Sequence, residues 1–283
     1  LGNGKVKNLK QMMHKLRWKK SPGEIGLMRD SAKLAADGIM RCMQLTKTQR
    51  SEQFLAATFE HHCKLGGAQR LSYPAVVAGG ADACTIHYIR NDKMLKPGEL
   101  VLMDAGCELW GYASDVTRTW PVGGKFTPEQ LEVYLEVLDV HRQCLDACRA
   151  GSNLRHIHNL SVRLISQAIV KLGLLEATDA ASVVGGSYRP FYCHSIGHWL
   201  GLDTHDTNTV AHDIPLEAGV VMTVEPGIYI PNDPSKFGKY AGIGVRIEDD
   251  ALVRPDGQPP EILSASVPTD PMAIEALVQQ GPP

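Results

Sequence analysis

Asp104, Asp115, Glu225 and Glu248 are the residues whose types and spacing most clearly suggest chemistry. Asp104 closes the run Gly98-Glu-Leu-Val-Leu-Met-Asp104-Ala-Gly106, and Glu225 closes Gly219-Val-Val-Met-Thr-Val-Glu225-Pro-Gly227. In both, the carboxylate follows one glycine by six residues, precedes another by two, and ends an apolar, strand-like stretch. A later segment of each half supplies a second acid, Asp115 in Tyr-Ala-Ser-Asp-Val-Thr-Arg and Glu248 in Gly-Val-Arg-Ile-Glu-Asp-Asp. An unpaired carboxylate at the inner end of a buried strand costs several kcal/mol, so solvated loop acids fit this setting poorly. Four clustered anions need positive charge between them, and oxygen donors favour hard divalent cations. Two such ions would balance four carboxylates.

The histidines offer a nitrogen ligand. His194, His198 and His205 fall within twelve residues of a chain that has eleven histidines. Taken singly, each reads better as a hydrogen-bonded imidazole of the core than as a ligand. Gly197 and Gly201 flank His198-Trp199-Leu200, which implies a backbone held close to something in the interior. One imidazole with four carboxylates suits manganese, iron(II), cobalt or zinc. Arg246 precedes Glu248 by two residues, so on a strand both point to the same face, and a neighbouring acid is its natural partner.

The elements that position these groups look duplicated. Ser21-Pro-Gly-Glu24 and Thr127-Pro-Glu-Gln130 are both capping boxes with proline at the first helical position. Each half continues through a second helical stretch to Lys-Leu-Gly, at Gly66 and Gly173, where the glycine predicts a helix stop. Leu100–Met103 and Val220–Val224 are too short for helices and are bounded by glycine or proline, so they read as buried strands. A hairpin turning near Glu108–Gly111 would set Asp104 opposite Asp115 on adjacent strands, within reach of one ion. The expected architecture is α+β, two pseudo-symmetric halves facing each other across a shared sheet.

Composition excludes several classes. With 283 residues and 43% hydrophobic content the chain can bury one large core. A formal charge of −2 gives no basic field for nucleic acid, and no apolar run approaches a membrane span. Seven cysteines without a C-x-x-C pair argue against a disulfide framework or a zinc knuckle, and Cys144 and Cys148 read as core or helix-surface thiols. Residues 1–20 are expected to be the end of an upstream domain or a linker, residues 21–270 the catalytic domain, and residues 271–283 a tail in which Met272–Val278 forms a short helix.

Five ordered motifs resemble the aminopeptidase P family of metal-dependent peptidases: Asp104-Ala-Gly, Ser114-Asp-Val-Thr-Arg-Thr, Gly197-His-Trp-Leu-Gly-Leu-Asp-Thr-His205-Asp, Thr223-Val-Glu-Pro-Gly-Ile-Tyr229 and Gly244-Val-Arg-Ile-Glu-Asp-Asp. Tyr73-Pro-Ala-Val-Val-Ala-Gly-Gly, Thr119-Trp-Pro-Val and Gly227-Ile-Tyr-Ile-Pro231 are most similar to its X-prolyl aminopeptidase 3 branch, found in mitochondria and cytosol. The resemblance implies the pita-bread fold and release of an N-terminal residue that precedes proline. It implies that Asp104 holds one metal, that Asp115 and Glu248 bridge two, and that His198 and Glu225 complete the second. His87 and His205 would line the substrate site, His194 would lie beside it, and Tyr229 and Arg246 would stand behind the ligands. Glu225 would also shuttle the proton. The cofactor would be two divalent ions, manganese first, with zinc or cobalt as alternatives. A peptide is the expected partner, with a homodimer if the upstream domain is present. The competing readings are a prolidase acting on dipeptides, a methionine aminopeptidase, and a metal-free binding module on the same fold.

Overall fold

Helix formation follows the capping chemistry closely. The computed structural model describes residues 8–175 and 183–281. After α1 (Lys10–Trp18), helix α2 (Pro22–Thr46) begins with a complete capping box: the Ser21 side chain accepts from the Glu24 amide and the Glu24 carboxylate from the Ser21 amide. Helix α4 (Pro128–Asp146) repeats this with Thr127 and Gln130. Each is followed by a partner, α3 (Glu52–Leu65) and α5 (Leu154–Lys171). The predicted stop after α5 is present, with Gly173 left-handed at φ 69°. After α3 the left-handed residue is Gly67 (φ 95°), one position later than predicted. Gly66 serves close approach instead, since a Cβ there would lie 2.3 Å from Leu34 Cδ1.

The strands form several short ladders rather than one shared sheet. β2 (Val76–Gly79), β3 (Leu100–Ala105) and β6 (Val116–Pro121) make one antiparallel sheet in the order β2-β3-β6, while β1 (Arg70–Leu71) pairs with the hairpin of β4 (Cys107–Leu109) and β5 (Tyr112–Ala113). In the second half β7 (Val221–Val224) pairs with β10 (Asp249–Leu252), which pairs with β11 (Glu261–Ile262); β8 (Gly227–Tyr229) pairs with β9 (Gly244–Arg246). A single bridge, Thr117↔Glu248, joins the first-half sheet to the second.

Apolar burial holds this arrangement. Ile39 and Met43 of α2 meet Leu55 and Phe59 of α3 in one core, all fully buried, and each such side chain contributes about 1.5–3 kcal/mol. Trp120 of β6 enters the same core and donates from Nε1 to Thr46 Oγ1 at 3.0 Å. Cys144 and Cys148 are buried thiols, Cys148 Sγ donating to the Cys144 carbonyl at 3.2 Å. The predicted closing helix is α6 (Pro271–Gln280), capped by Asp270 and anchored by Ile274 and Val278.

Where α1 meets α2 the chain buries a lysine. The Lys20 side chain is 1% exposed and its Nζ lies 3.5 Å from Asp206 Oδ2, with Glu24 and Arg17 also acting on it. Burial pushes its ammonium down to about 8 from 10.5, and Asp206 offsets only part of that. The folded pKa is the lower one, so the unfolded chain holds the extra proton between the two values and stability contributed by this site rises with pH across that window. We expect the thermal midpoint to gain more between about pH 7.5 and about pH 9.5 in the wild type than in Lys20→Met. Equal gains in the two proteins would disprove it.

Candidate metal centre

Strand alternation puts the acids on one face. Asp104 pairs with Thr117 across β3 and β6, and Thr117 bridges to Glu248, so these three residues form a row. Thr117 Oγ1 donates to Glu248 Oε2 at 2.6 Å. Asp115 precedes Thr117 by two residues and Arg246 precedes Glu248 by two, so both share that face. On the far side, the segment 196–200 runs beside β7: the Glu225 amide donates to the Ile196 carbonyl at 2.8 Å and the Thr223 amide to the His198 carbonyl at 3.0 Å. His198 therefore lies opposite Thr223, two residues from Glu225. Gly197 permits this approach, since a Cβ there would stand 2.0 Å from the Thr223 carbonyl oxygen.

All five predicted ligands converge. Asp115, His198 and Glu248 offer ligand atoms within 4.8 Å of one another. His198 Nε2 lies 3.3 Å from Asp115 Oδ2 and 3.8 Å from Glu225 Oε1. Asp104 joins through the Tyr73 hydroxyl, which lies within hydrogen-bonding distance of both Asp104 and Asp115 and can donate its one proton to either. The hairpin turn falls at Trp110-Gly111 as expected, but Asp104 and Asp115 are not opposite each other. Gly106 and the hairpin leave the β3–β6 sheet, because the Gly106 carbonyl accepts from Ser72, and Asp104 faces Thr117 instead.

The electrostatics are those of an uncompensated acid cluster. Burial pushes the Glu225 carboxyl up to about 7, and burial with repulsion from its neighbours raises Asp115 and Glu248 as well. Burial disfavours a charged His198, yet Asp115 and Glu225 outweigh it and hold the imidazole up at about 9. This is the setting in which bound divalent cations replace protons.

Arg246 pairs with an acid, as its spacing suggests. It is 1% exposed, and its Nη2 donates to Asp104 Oδ2 at 2.6 Å, its Nη1 to Tyr229 Oη at 2.9 Å. His194 Nε2 shares a hydrogen bond with the same Tyr229 hydroxyl at 2.8 Å, and its Nδ1 lies 3.7 Å from Glu225 Oε2, so His194 stands behind Glu225. His87 and His205 line a cavity of about 500 Å³ together with the five ligands; the His205 ring is 4.3 Å from that of His198. Pro74, Val76, Ile86 and Ile89 give the cavity an apolar wall.

Sequence reasoning assigned no role to Tyr73, Thr117, Arg118 or Asp250. Arg118 is fully buried and uses every donor of its guanidinium: Nε to the Pro268 carbonyl, Nη1 to the Thr117 and Glu248 carbonyls, Nη2 to Asp249 Oδ1 at 2.7 Å and to the Val267 carbonyl. It thus grips the backbone of Glu248 from the opposite face. Asp250 Oδ2 accepts from the Asp115 amide at 3.2 Å. A charged residue inside Val116-Thr-Arg-Thr-Trp was the visible signal for Arg118.

The model of metallopeptidase family M24 matches residues 26–255. The chain belongs to that family. Mouse Xaa-Pro aminopeptidase 3 is 44% identical over 275 residues, covering 96% of this chain and 53% of the relative. The mitochondrial intermediate cleaving peptidase 55 of Arabidopsis thaliana is 42% identical, covering 97% of this chain and 54% of the relative. Aminopeptidase P of E. coli, solved with the inhibitor Pro-Leu, superposes with a TM-score of 0.91 at 38% identity, over 96% of this chain and 62% of that one. The pita-bread fold expected from the sequence is thereby established. The chain spans little more than half the length of the curated relatives it matches.

Proposed function

We propose that this chain is the catalytic part of a metal-dependent aminopeptidase that removes the N-terminal residue from peptides with proline second. The observation that carries the reading is the convergence of four carboxylates and His198 on one face, beside a cavity with an apolar wall. The donor set fits two divalent cations: Asp104 would hold one, His198 and Glu225 the other, with Asp115 and Glu248 shared. Manganese suits these oxygen donors best, with zinc or cobalt as alternatives. Bound there, the ions would supply Lewis acidity toward the scissile carbonyl and an acidified water.

The remaining chemistry falls to side chains. Glu225 lines the cavity beside His198 and is the side chain we assign to take and return the proton. His205 lies below the usual imidazole range through burial and the nearby His198 and His87, which keeps it neutral and able to donate to a carbonyl or a developing oxyanion. His87 would share that task. A proline ring has no amide hydrogen to satisfy, so it matches the wall of Pro74, Val76, Ile86 and Ile89. Residues 21–270 carry all these groups. The mitochondrial name of the Arabidopsis relative supports placement in the mitochondrion, with the cytoplasm as the alternative, and no helix among the described residues is long and apolar enough to cross a membrane.

The test is hydrolysis of Arg-Pro-Pro and of an X-Pro dipeptide after titration with manganese. We expect two ions per chain and cleavage of the first bond of the tripeptide. Cleavage of the dipeptide alone would make the chain a prolidase; no bound metal and no hydrolysis would leave the metal-free binding module.

A further inference from the structure

The loop that carries His205 is anchored from behind by α1, through contacts that the peptidase reading does not use. Arg17 reaches both sides of His205 at once: one Nη2 lies 2.6 Å from Asp203 Oδ2 and also donates to Asp206 Oδ1. Asp206 is no surface acid, since its side chain is 1% exposed, and Lys20 stands against its other oxygen. The loop has been shaped around this ion cluster. A Cβ on Gly201 would lie 2.3 Å from Asp206 Oδ2 and 3.0 Å from Lys20 Cε, so only glycine lets the backbone pass over it. Thr207, next along, is a buried β-branched residue held in the left-handed region at φ 44°, a conformation that persists only where its surroundings enforce it.

Three further contacts extend the anchorage. Trp18 packs edge-on against Trp199 with ring centres 5.5 Å apart, and Trp199 Nε1 closes the loop by donating to the Val210 carbonyl at 3.1 Å. Thr209 Oγ1 shares a hydrogen bond with His14 Nδ1 at 2.9 Å. The Lys20 amide donates to the Gly219 carbonyl just before β7. From His14 to Lys20, successive turns of α1 and the segment after it therefore touch both ends of the stretch that presents His198 and His205.

We propose that Arg17 is a positioning residue for the active site: by pairing with Asp203 and Asp206 it fixes His205 against the substrate cavity, and α1 is part of the catalytic unit rather than a linker to it. An exposed ion pair would be worth little, but here one partner is buried and a single guanidinium nitrogen, Nη2, spans two acids in one loop. Loss of the guanidinium leaves the Asp206 carboxylate with Lys20 alone and frees Asp203. Displacement of a catalytic group by about 1 Å can cost about 100-fold in rate.

The inference rests on the proposed peptidase activity for one arm of its test only. Hydrogen exchange of the whole chain reads the loop directly: in Arg17→Ala the amides of residues 201–210 should exchange about tenfold faster while those of α4 and α5 are unchanged. Manganese stoichiometry should be retained. With Arg-Pro-Pro, Arg17→Ala should lower kcat/KM by about 10–100-fold, yet cost less than about twofold when added to His205→Ala, because the two act through one group. Arg17→Lys should recover only part of the loss. Should Arg17→Ala fail to fold, Asp203→Asn removes the exposed arm alone and should loosen the loop to a smaller degree. Unchanged exchange at 201–210 in both variants, or full additivity with His205→Ala, would overturn the proposal. If the wild type cleaves no X-Pro peptide, the peptidase reading fails while the exchange arm still decides the role of Arg17.

Discussion

Glu225→Gln is expected to lower turnover of an X-Pro tripeptide by about 10²–10⁴-fold, the range over which a positioned acid–base group contributes. The amide keeps the shape of the side chain and one acceptor oxygen, so Thr223 and the strand beneath it have no reason to move. What disappears is the negative charge and the ability to accept a proton. The measurement is kcat at saturating manganese, together with the thermal midpoint and the metal content. An intact fold with depressed kcat supports the assignment; near-normal turnover removes Glu225 from the mechanism.

Arg118→Leu should destabilise the protein by about 3–5 kcal/mol, the usual consequence of removing one partner from a buried ion pair. Asp249 would keep only His141 Nε2, at 3.2 Å, and the Ser264 hydroxyl. Carbonyls of Thr117, Glu248, Val267 and Pro268 would lose their shared donor as well. Urea unfolding of the two proteins gives the difference, and Asp249→Asn added to Arg118→Leu should recover part of it, because the unpaired charge goes with the carboxylate. A loss below about 1 kcal/mol, the range of exposed pairs, would show that the guanidinium is dispensable.

The ligands could be read in the sequence because each ends or follows a short apolar run, where a solvated acid makes no sense, and because glycines bracket them at matching intervals. Capping boxes fixed the starts of α2 and α4 for equally local reasons. Register was not legible. The run Leu100–Met103 is apolar on both faces, so nothing in its pattern distinguishes Asp104 opposite Asp115 from Asp104 opposite Thr117. The expectation of one shared sheet failed where Gly106 and the residues around Glu248 break the ladders. Arg118 escaped notice as a support because most of its partners lie about 130–150 residues away, and α1 because a basic, mostly exposed helix gives no sign of what its few inward residues touch.

Among the described residues the bridge between Thr117 and Glu248 is the one ladder link between the first-half and second-half sheets, and its second member comes late in the chain. During synthesis the segment bearing Asp104 and Asp115 must leave the ribosome long before Glu225 and Glu248 exist. For that interval Asp104 and Asp115 have Tyr73 but neither His198 nor Arg246, and contacts so distant in sequence form slowly because a long loop must close first. Capture of metal would then be a late event in maturation, reporting that both halves have been made and have met.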